Sequence, residues 1–287
     1  MITKTSEIGI VGLGVLGGSC AQALSEAGYQ NILAVDVDEA AAVIAKEKGW
    51  IREGGTDPAL LSGCDLVIFC LYPGVFVSWI RENQKVLKSG CLITDVTGVK
   101  RAVIEAIGGI LREDIEFIAC HPMAGREFRG IRYADAGRFR DAYFIIVPTE
   151  KNSPEAIETM RTLAGDMRFR TITELSAAEH DRMISFLSQL THVIAVCLMN
   201  CNDNTHLARY TGDSFRDLTR ISKINEQMWP ELFVLNKDYL AADIDAFIRE
   251  LEDFRDRIAE EDIQGMKEKM IQSTERRGCF DRERSDT

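Results

Sequence analysis

The sequence predicts an α/β protein in which a doubly wound parallel sheet is followed by an all-helical segment. Three observations support this fold class. Short apolar runs alternate with helical segments over roughly the first 170 residues, a glycine-rich turn joins the first run to the first helix, and strand patterns end near residue 175. Such alternation is typical of parallel sheets covered by helices on both faces. The 287 residues are enough for about two domains.

The individual elements follow from apolar runs and from helix start and stop signals. The predicted strands are 7–11, 31–37, 64–71, 91–96, 116–120, 143–147 and 170–173. The predicted helices between them are 19–27, 38–48, 75–87, 100–111 and 154–165. The third strand is apolar throughout after Asp65, as expected for a parallel strand that is covered on both faces.

Charge and cysteine usage exclude several classes of protein. The net charge is −11, which argues against binding to a nucleic-acid backbone. Eight cysteines without a C-x-x-C pair favour reduced thiols in the cytoplasm and predict no metal site. Residues 8–25 carry no charge, but five glycines and the preceding Glu7 argue against a signal peptide or a membrane partner.

A change of pattern near residue 175 predicts the domain boundary. Ser176 and Glu179 have the spacing of a capping box, which starts a helix. From Met183 to Leu198 apolar residues lie on nearly every helix face, so this helix requires partners on all sides. We therefore predict a nucleotide-binding domain over 1–174 and a helical substrate and dimerisation domain over 175–287, with a charged tail from about 267. A homodimer is expected.

The glycine-rich turn has the spacing of a dinucleotide-binding site in a Rossmann-type domain. Gly12, Gly14 and Gly17 form a G-x-G-x-x-G pattern, and Leu16 lies within the same candidate cofactor-binding turn. The first glycine permits the tight turn, the second permits close approach of a pyrophosphate, and the third permits helix–strand packing. Asp36 ends the second strand about twenty residues later, where a carboxylate accepts hydrogen bonds from a ribose. This acid favours NAD over NADP, because it would repel a 2′-phosphate.

Four segments together resemble the prephenate and arogenate dehydrogenases, which make tyrosine precursors. The first, H-P-M-A-G-R-E over 121–127, resembles the family's H-P-x-A-G-x-E signature. The others are D-V-T-G-V-K over 95–100, E-H-D over 179–181 with His192 further on, and F-R-D-L-T-R-I over 215–221. The similarity extends from about residue 7 to 258.

The resemblance implies an NAD-dependent oxidative decarboxylation of a small-molecule substrate, prephenate or arogenate. A hydride leaves the ring carbon that carries the 4-hydroxyl, a ring carboxylate departs as CO₂, and aromatisation drives the reaction. The family pattern makes His121 the catalytic histidine, which accepts the hydroxyl proton. Its place at the end of the fifth strand is where doubly wound sheets bind ligands.

By the same resemblance, Arg220 is the candidate for holding a substrate carboxylate through its planar guanidinium. Arg216 lies close by in sequence and is the alternative. Glu127 matches the acid of the signature and is a candidate substrate-binding residue. Arg126 occupies a variable position, and its role stays open.

The histidines of the helical domain have different expected roles. The twelve residues between His180 and His192 correspond to about 18 Å along a helix and about 120° of rotation, so both cannot face one small ligand directly. The resemblance implies that His192 lines the substrate site or stabilises its wall. His180, in the first turn, is expected to be structural, and His206 to lie on the surface.

One position departs from the family pattern. The family loop usually has a serine where this chain has Gly98, and that hydroxyl helps to bind the reacting 4-hydroxyl. Thr97 is adjacent and is expected to substitute for it if the loop shifts slightly. Otherwise the site loses one neutral hydrogen bond, worth about 0.5–1.5 kcal/mol. We therefore include Thr97 and Gly98 among the candidate substrate-binding residues.

Several functions remain open at this point. Prephenate is favoured as the substrate, and arogenate is the alternative because Glu127 can pair with its ammonium group. A second class is another dehydrogenase of the β-hydroxyacid type, which uses a lysine of its helical domain, and Lys223 is the nearest candidate. A third class is a non-catalytic NAD-binding sensor, which is motivated only by Gly98.

Overall fold

The computed structural model describes residues 2–125 and 128–280 and contains one eight-stranded sheet. The strands are β1 (Glu7–Val11), β2 (Asn31–Val35), β3 (Glu53–Gly55), β4 (Leu66–Phe69), β5 (Leu92–Asp95), β6 (Glu116–Pro122), β7 (Tyr143–Val147) and β8 (Thr171–Glu174). Their order in the sheet is β3-β2-β1-β4-β5-β6-β7-β8. The predicted fold class, a doubly wound sheet followed by helices, is confirmed.

Five α-helices connect the strands, and they cover both faces of the sheet. They are α1 (Val15–Glu26), α2 (Glu39–Glu47), α3 (Pro73–Asn83), α4 (Arg101–Gly108) and α5 (Pro154–Asp166). Leu24, Ala41 and Met160 place α1, α2 and α5 in one apolar core, whereas Phe76 and Ile107 place α3 and α4 in another. The sheet therefore has buried side chains on both faces, which explains its nearly continuous apolar strands.

Two features of the sheet differ from the prediction. β7 pairs antiparallel to β6, and β8 then pairs parallel to β7, so the expectation of a wholly parallel sheet is wrong at this edge. A parallel neighbour requires a long crossover, usually a helix. The described parts of the connection from β6 to β7 contain only short 3₁₀ turns, at Ile131–Tyr133 and Ala136–Asp141. In addition, β3 is not among the predicted strands, because its three residues include two glycines and no large apolar side chain.

The helical segment begins at the predicted capping box. The Ser176 hydroxyl accepts from the Glu179 amide, and the Glu179 carboxylate accepts from the Ser176 amide. The helix then runs continuously from Ala177 to Asn200 as α6 (Ala177–Ile184), a π-helical stretch (Ser185–Leu190) and α7 (Thr191–Asn200). It is followed by α8 (Asp213–Thr219) and α9 (Met228–Leu235).

The helix from Ala177 to Asn200 is long and apolar enough to cross a membrane by length and composition, and 28% of its most apolar window is buried. Phe186 is 56% exposed and Leu187 is 45% exposed in the single chain. The opposite face instead buries polar side chains at helical spacing, namely Asp181, Ser185 and Gln189. Part of the apolar surface of this helix thus lies on a face that the chain itself does not cover.

From Asp238 onward, the described residues form a second compact unit. It consists of α10 (Lys237–Ala259) and α11 (Ile263–Gly278). Lys269 on α11 forms ion pairs with Glu250 and Asp253 on α10, at 2.7 and 2.6 Å. The charged segment that the sequence analysis treated as a tail from about 267 is therefore helical as far as Gly278, and some of its charges are paired across a helical hairpin.

Candidate active site

A cavity of about 850 Å³ opens beside the glycine-rich turn and the carboxyl end of β6, and side chains of α9 and of the helix 177–200 form its other walls. This volume suits a small-molecule site. The cavity brings together most of the predicted site residues that the structure describes. Those that line it are Gly14, Leu16, Thr97, Gly98, His121, His192 and Arg220.

The glycine-rich turn has the conformation that its sequence predicts. Gly12 has φ +91°, and a Cβ there would lie 2.6 Å from the Cys70 carbonyl oxygen. A Cβ on Gly17 would lie 1.8 Å from the Gly12 oxygen, so helix and strand can approach only through glycine. Gly14 is the N-cap of α1, and a Cβ there would meet no protein atom within 4 Å. Its backbone therefore faces open space, which fits the approach of a pyrophosphate.

Asp36 lies directly after β2, beside this turn. Its carboxylate accepts hydrogen bonds from the backbone amides of Leu13 and Asp38, the latter at 2.8 Å. These bonds fix the side chain next to the turn. A carboxylate in this position has further lone pairs for the hydroxyls of a ribose. The turn and this acid together fit a dinucleotide such as NAD.

His121 lies near the carboxyl end of β6 and is partly buried in the cavity wall. Its Nδ1 lies 2.8 Å from Nε2 of His180, and Nδ1 of His180 lies 2.8 Å from Oδ1 of Asp181. His180 and Asp181 are both fully buried in the first turns of α6. His121 is therefore the outer member of a row of three hydrogen-bonded side chains.

Burial and neighbouring charges set the protonation of this row. Burial, together with His180 and Lys100, lowers the pKa of His121 well below its usual value. Burial also lowers the pKa of His180, against the opposing effect of Asp181. For Asp181, burial alone would raise the pKa, but hydrogen bonds from His180 and from the Arg101 and Lys100 amides lower it below its usual value. At neutral pH the row thus consists of two neutral imidazoles and a carboxylate.

A buried ion pair supports the loop in front of His121. The Nζ of Lys100 lies 2.7 Å from Oδ2 of Asp95, and both side chains are fully buried. Lys100 Nζ also donates to the carbonyl of Cys120, the residue before His121. The other Asp95 oxygen accepts from the Cys120 amide at 3.2 Å. The pair therefore links the ends of β5 and β6, where ligands of such sheets bind.

Thr97 is only 4% exposed, and its hydroxyl is directed into this buried cluster. The Oγ1 contacts the Asp95 carboxylate, the Val99 carbonyl at 3.0 Å and Lys100 Nζ at 3.3 Å. The expectation that Thr97 replaces the missing serine hydroxyl is therefore not supported by the geometry. Gly98 lines the cavity without a hydroxyl, and a Cβ there would make ordinary contact with Leu232 at 3.5 Å.

The cavity wall carries positive charge although the protein is acidic. Arg129, Arg220 and Lys223 line it, and no Asp or Glu does so among the lining residues that the structure describes. One of these cations, Arg129, pairs with Glu226 at 3.0 Å. Arg216 pairs with Asp213 at 3.4 Å and does not line this cavity. Local cations of this kind suit a ligand with carboxylates. Arg126 and the predicted substrate-binding residue Glu127 lie outside the described residues.

His192 lines the cavity and is held from two sides. Its Nδ1 donates to the Ser188 carbonyl at 2.8 Å, and its ring lies 3.9 Å, centroid to centroid, from the ring of Trp229. Both rings line the cavity. The expectation that His192 lines the site or supports its wall agrees with this position.

The sequence did not predict that α6 contributes two side chains, His180 and Asp181, to the row that contains His121. His180 was expected to be structural, yet its ring contacts that of His121 directly. In the sequence, Asp181 and Lys100 stand out only as members of the E-H-D and D-V-T-G-V-K segments. One available signal is the spacing of polar residues 181, 185 and 189, which share one helix face and are all buried. Polar residues repeating at positions i, i+4 and i+8 of an otherwise apolar helix indicate a buried hydrogen-bonded face.

Two family models match the chain. One describes the nucleotide-binding domain of prephenate dehydrogenase and matches residues 20–173. The other describes the dimerization domain of prephenate dehydrogenase and matches residues 176–272. Together they cover most of the chain, and they meet where the capping box begins the helical segment.

Individual relatives agree with these matches. Prephenate dehydrogenase from Bacillus subtilis is 27% identical over 267 residues, which is 90% of this chain and 71% of the relative. Cyclohexadienyl dehydrogenase from Zymomonas mobilis is 28% identical over 270 residues, 91% of each chain. The structure of prephenate dehydrogenase from A. aeolicus in complex with hydroxyphenyl propionate and NAD+ has a TM-score of 0.89 and 25% identity, and covers 98% of this chain and 100% of that chain.

The buried ion pair leads to a stability prediction. We expect Lys100→Met to lower the free energy of unfolding by about 3–5 kcal/mol, because it leaves the buried Asp95 carboxylate without its cation. The double variant Lys100→Met/Asp95→Asn is expected to recover much of this loss, since neither charge then stays buried. Chemical denaturation of the purified variants measures both values.

The matched control is Lys88→Met. Lys88 pairs with Asp65, but their side chains are 38% and 37% exposed, so we expect a loss of at most about 1 kcal/mol. Equal losses from Lys100→Met and Lys88→Met would contradict a special contribution from the buried pair.

Proposed function

Because the chain belongs to the prephenate dehydrogenase family, we propose that it catalyses the NAD-dependent oxidative decarboxylation of prephenate to 4-hydroxyphenylpyruvate in tyrosine biosynthesis. The observation that carries this proposal is His121. It is a neutral imidazole in the wall of a cavity that also contains the glycine-rich turn and several cations. These are the three parts that the reaction requires, namely a base, a nucleotide site and a carboxylate site.

NAD is the cofactor of the proposed reaction, as the family's nucleotide-binding domain and the NAD+ complex of the A. aeolicus relative support. The turn from Gly12 to Gly17 would hold the pyrophosphate at the start of α1, and Asp36 would hold the ribose. The bound nicotinamide supplies a hydride acceptor. Gly14 and Leu16 line the same cavity as His121, which supports a cofactor turn and a base that share one site.

The chain's own residues contribute a proton acceptor and electrostatic positioning. His121 accepts the proton of the substrate's 4-hydroxyl as that carbon becomes a carbonyl, and its low pKa keeps it unprotonated beforehand. Arg220 binds a substrate carboxylate, with Arg129 and Lys223 in the same wall. His192 and Trp229 form an aromatic wall for the substrate ring.

The charge of the described cavity wall favours prephenate over arogenate. Both substrates have two carboxylates, but arogenate also carries an ammonium group, for which a nearby acid is the natural partner. The described lining residues provide three cations and no acid. Arogenate is the second candidate, because Glu127, the acid that ends the segment beginning at His121, can pair with an ammonium group.

We also propose that the protein is a cytoplasmic homodimer. The family model for the helical segment is that of a dimerization domain, and the exposed apolar face with Phe186 and Leu187 offers a surface for a second copy. All eight cysteines are free thiols, which agrees with a reducing compartment.

The decisive test is NADH formation by the purified protein with prephenate and, in parallel, with arogenate. We expect turnover with a higher kcat/KM for prephenate, and the ratio of the two values identifies the substrate. His121→Ala should still bind NAD, while kcat falls by about 10²–10⁴-fold because the general base is lost. Absence of turnover with both substrates in a folded, NAD-binding sample would instead favour a sensor.

The low pKa of His121 leads to a pH prediction. The base accepts a proton only when it is unprotonated, so activity falls as the pH drops through its pKa. Because that pKa is lowered, we expect the acidic limb of kcat/KM to lie well below pH 6.5, the usual value for histidine. A pH–rate profile with prephenate measures the limb, and a midpoint at or above pH 7 would rule out this assignment.

The missing serine hydroxyl leads to a gain-of-function prediction. Gly98→Ser is expected to raise kcat/KM for the preferred substrate by about 2- to 10-fold, the equivalent of one neutral hydrogen bond. The side chain fits, because its Cβ would lie 3.5 Å or more from the nearest atoms, those of Leu232. Gly98→Ala fills the same space without a hydroxyl and is the control. An equal gain in both variants would show that packing, not the hydroxyl, is responsible.

A further inference from the structure

Behind His121 lies a buried carboxylate whose hydrogen bonds are all fixed in direction. Asp181 Oδ1 accepts from the Lys100 amide at 2.8 Å, and Oδ2 accepts from the Arg101 amide at 2.9 Å and from Arg101 Nε at 3.3 Å. These backbone amides begin α4, so the carboxylate lies at the positive end of a helix. An ionised carboxylate can only accept hydrogen bonds.

This acceptor determines the tautomer of His180. Nδ1 of His180 lies 2.8 Å from Oδ1 of Asp181, so Nδ1 must carry the hydrogen, because two lone pairs at this distance would repel each other. A neutral imidazole has one N–H, and burial keeps His180 neutral by lowering its pKa. Its Nε2 therefore carries a lone pair and can only accept.

The accepting Nε2 of His180 determines the tautomer of His121 in turn. Nδ1 of His121 lies 2.8 Å from the accepting Nε2 of His180, so Nδ1 of His121 must carry the hydrogen. The lone pair of His121 is then on Nε2. In the described part of the chain no side chain or backbone atom is hydrogen-bonded to this nitrogen, and His121 lines the cavity. Nε2 is thus the nitrogen that is available to a ligand.

We propose that His180 and Asp181 are positioning residues that hold His121 in the tautomer whose Nε2 is the base. This inference rests on the proposed function, in which His121 accepts the proton of the substrate hydroxyl. In that step the substrate O–H bond breaks and the N–H bond at Nε2 forms. The Nδ1–H of His121 stays in place and donates to His180, while His180 and Asp181 neither gain nor lose a proton.

The opposite tautomer would be inactive for a geometric reason. With its hydrogen on Nε2, His121 would present a donor to the substrate hydroxyl and would have no lone pair to accept the proton. Its Nδ1 lone pair would also face that of His180. In serine proteases, where an aspartate holds the catalytic histidine, replacing that aspartate by asparagine leaves the geometry intact but lowers kcat about 10⁴-fold through the wrong tautomer.

The direct test is nitrogen-15 NMR of histidine-labelled protein without substrate at neutral pH. The chain has four histidines, so substitution of each one assigns the spectrum. We expect a protonated Nδ1 and an unprotonated Nε2 on His121. A hydrogen on Nε2 of His121 in the unmodified protein would overturn the proposal, whatever the protein turns over, so this result is independent of the proposed reaction.

The variants test whether the row causes this preference. Asp181→Asn keeps the volume but can offer either an oxygen or an NH₂ to His180, so we expect His121 to become a mixture of tautomers although residue 181 does not touch it. With prephenate, kcat should fall by about 10²-fold, within the range of general-base effects, with little change in KM. An unchanged tautomer in a folded Asp181→Asn variant would overturn the proposal.

His180→Asn is the second variant in case Asp181→Asn does not fold. Its amide can still donate to Asp181 but is too short to reach His121, so the same mixture of tautomers is expected. The control is His206→Asn, because His206 is exposed and is not part of the row. It should change neither the His121 signals nor kcat. Loss of the tautomer preference in His206→Asn as well would also contradict the proposal.

Discussion

The Asp181 carboxylate is the contact on which the geometry of the site depends. It joins the helical segment to the start of α4 by accepting two backbone amides, and the oxygen that accepts from Lys100 also fixes His180. A fully buried carboxylate is tolerated only when hydrogen bonds replace its hydration. Here they do so well enough to lower its pKa. The same contact therefore docks α6 against the start of α4 and orients the imidazoles that lead to the cavity.

Residue 100 connects this carboxylate to a second one. The Lys100 amide donates to Asp181, while its ammonium group pairs with Asp95. Through Asp95 and the Cys120 carbonyl, the ion pair also holds the strand that carries His121. Both ends of the row behind the cavity are thus fixed by one lysine. Side chains whose supporting contacts are this well satisfied are held close to one geometry.

The cavity illustrates why net charge is a poor guide to a small-molecule site. The chain has a net charge of −11, yet the described cavity wall has three cations and no acid. Carboxylates dominate the surface elsewhere, for example in the α10–α11 hairpin, where Lys269 lies between Glu250 and Asp253. An acidic protein can therefore have a cavity wall rich in cations, because the field at a partly enclosed site is dominated by its nearest charges.

The sequence by itself determined the features that are local. Gly12 and Gly17 are required by the tight turn and by the contact between helix and strand, Asp36 follows from its spacing, and the capping box at Ser176 depends on four consecutive residues. The motif around His121 was equally readable from the sequence.

Only the tertiary structure decided the direction of β7, because strand pairing depends on the path of the connection. It also decided that the Thr97 hydroxyl points to Asp95 and that His180 contacts His121, 59 positions away in the chain. Such long-range contacts depend on how α6 packs on the rest of the chain. That packing depends on the whole folded core, so a local sequence pattern does not predict it.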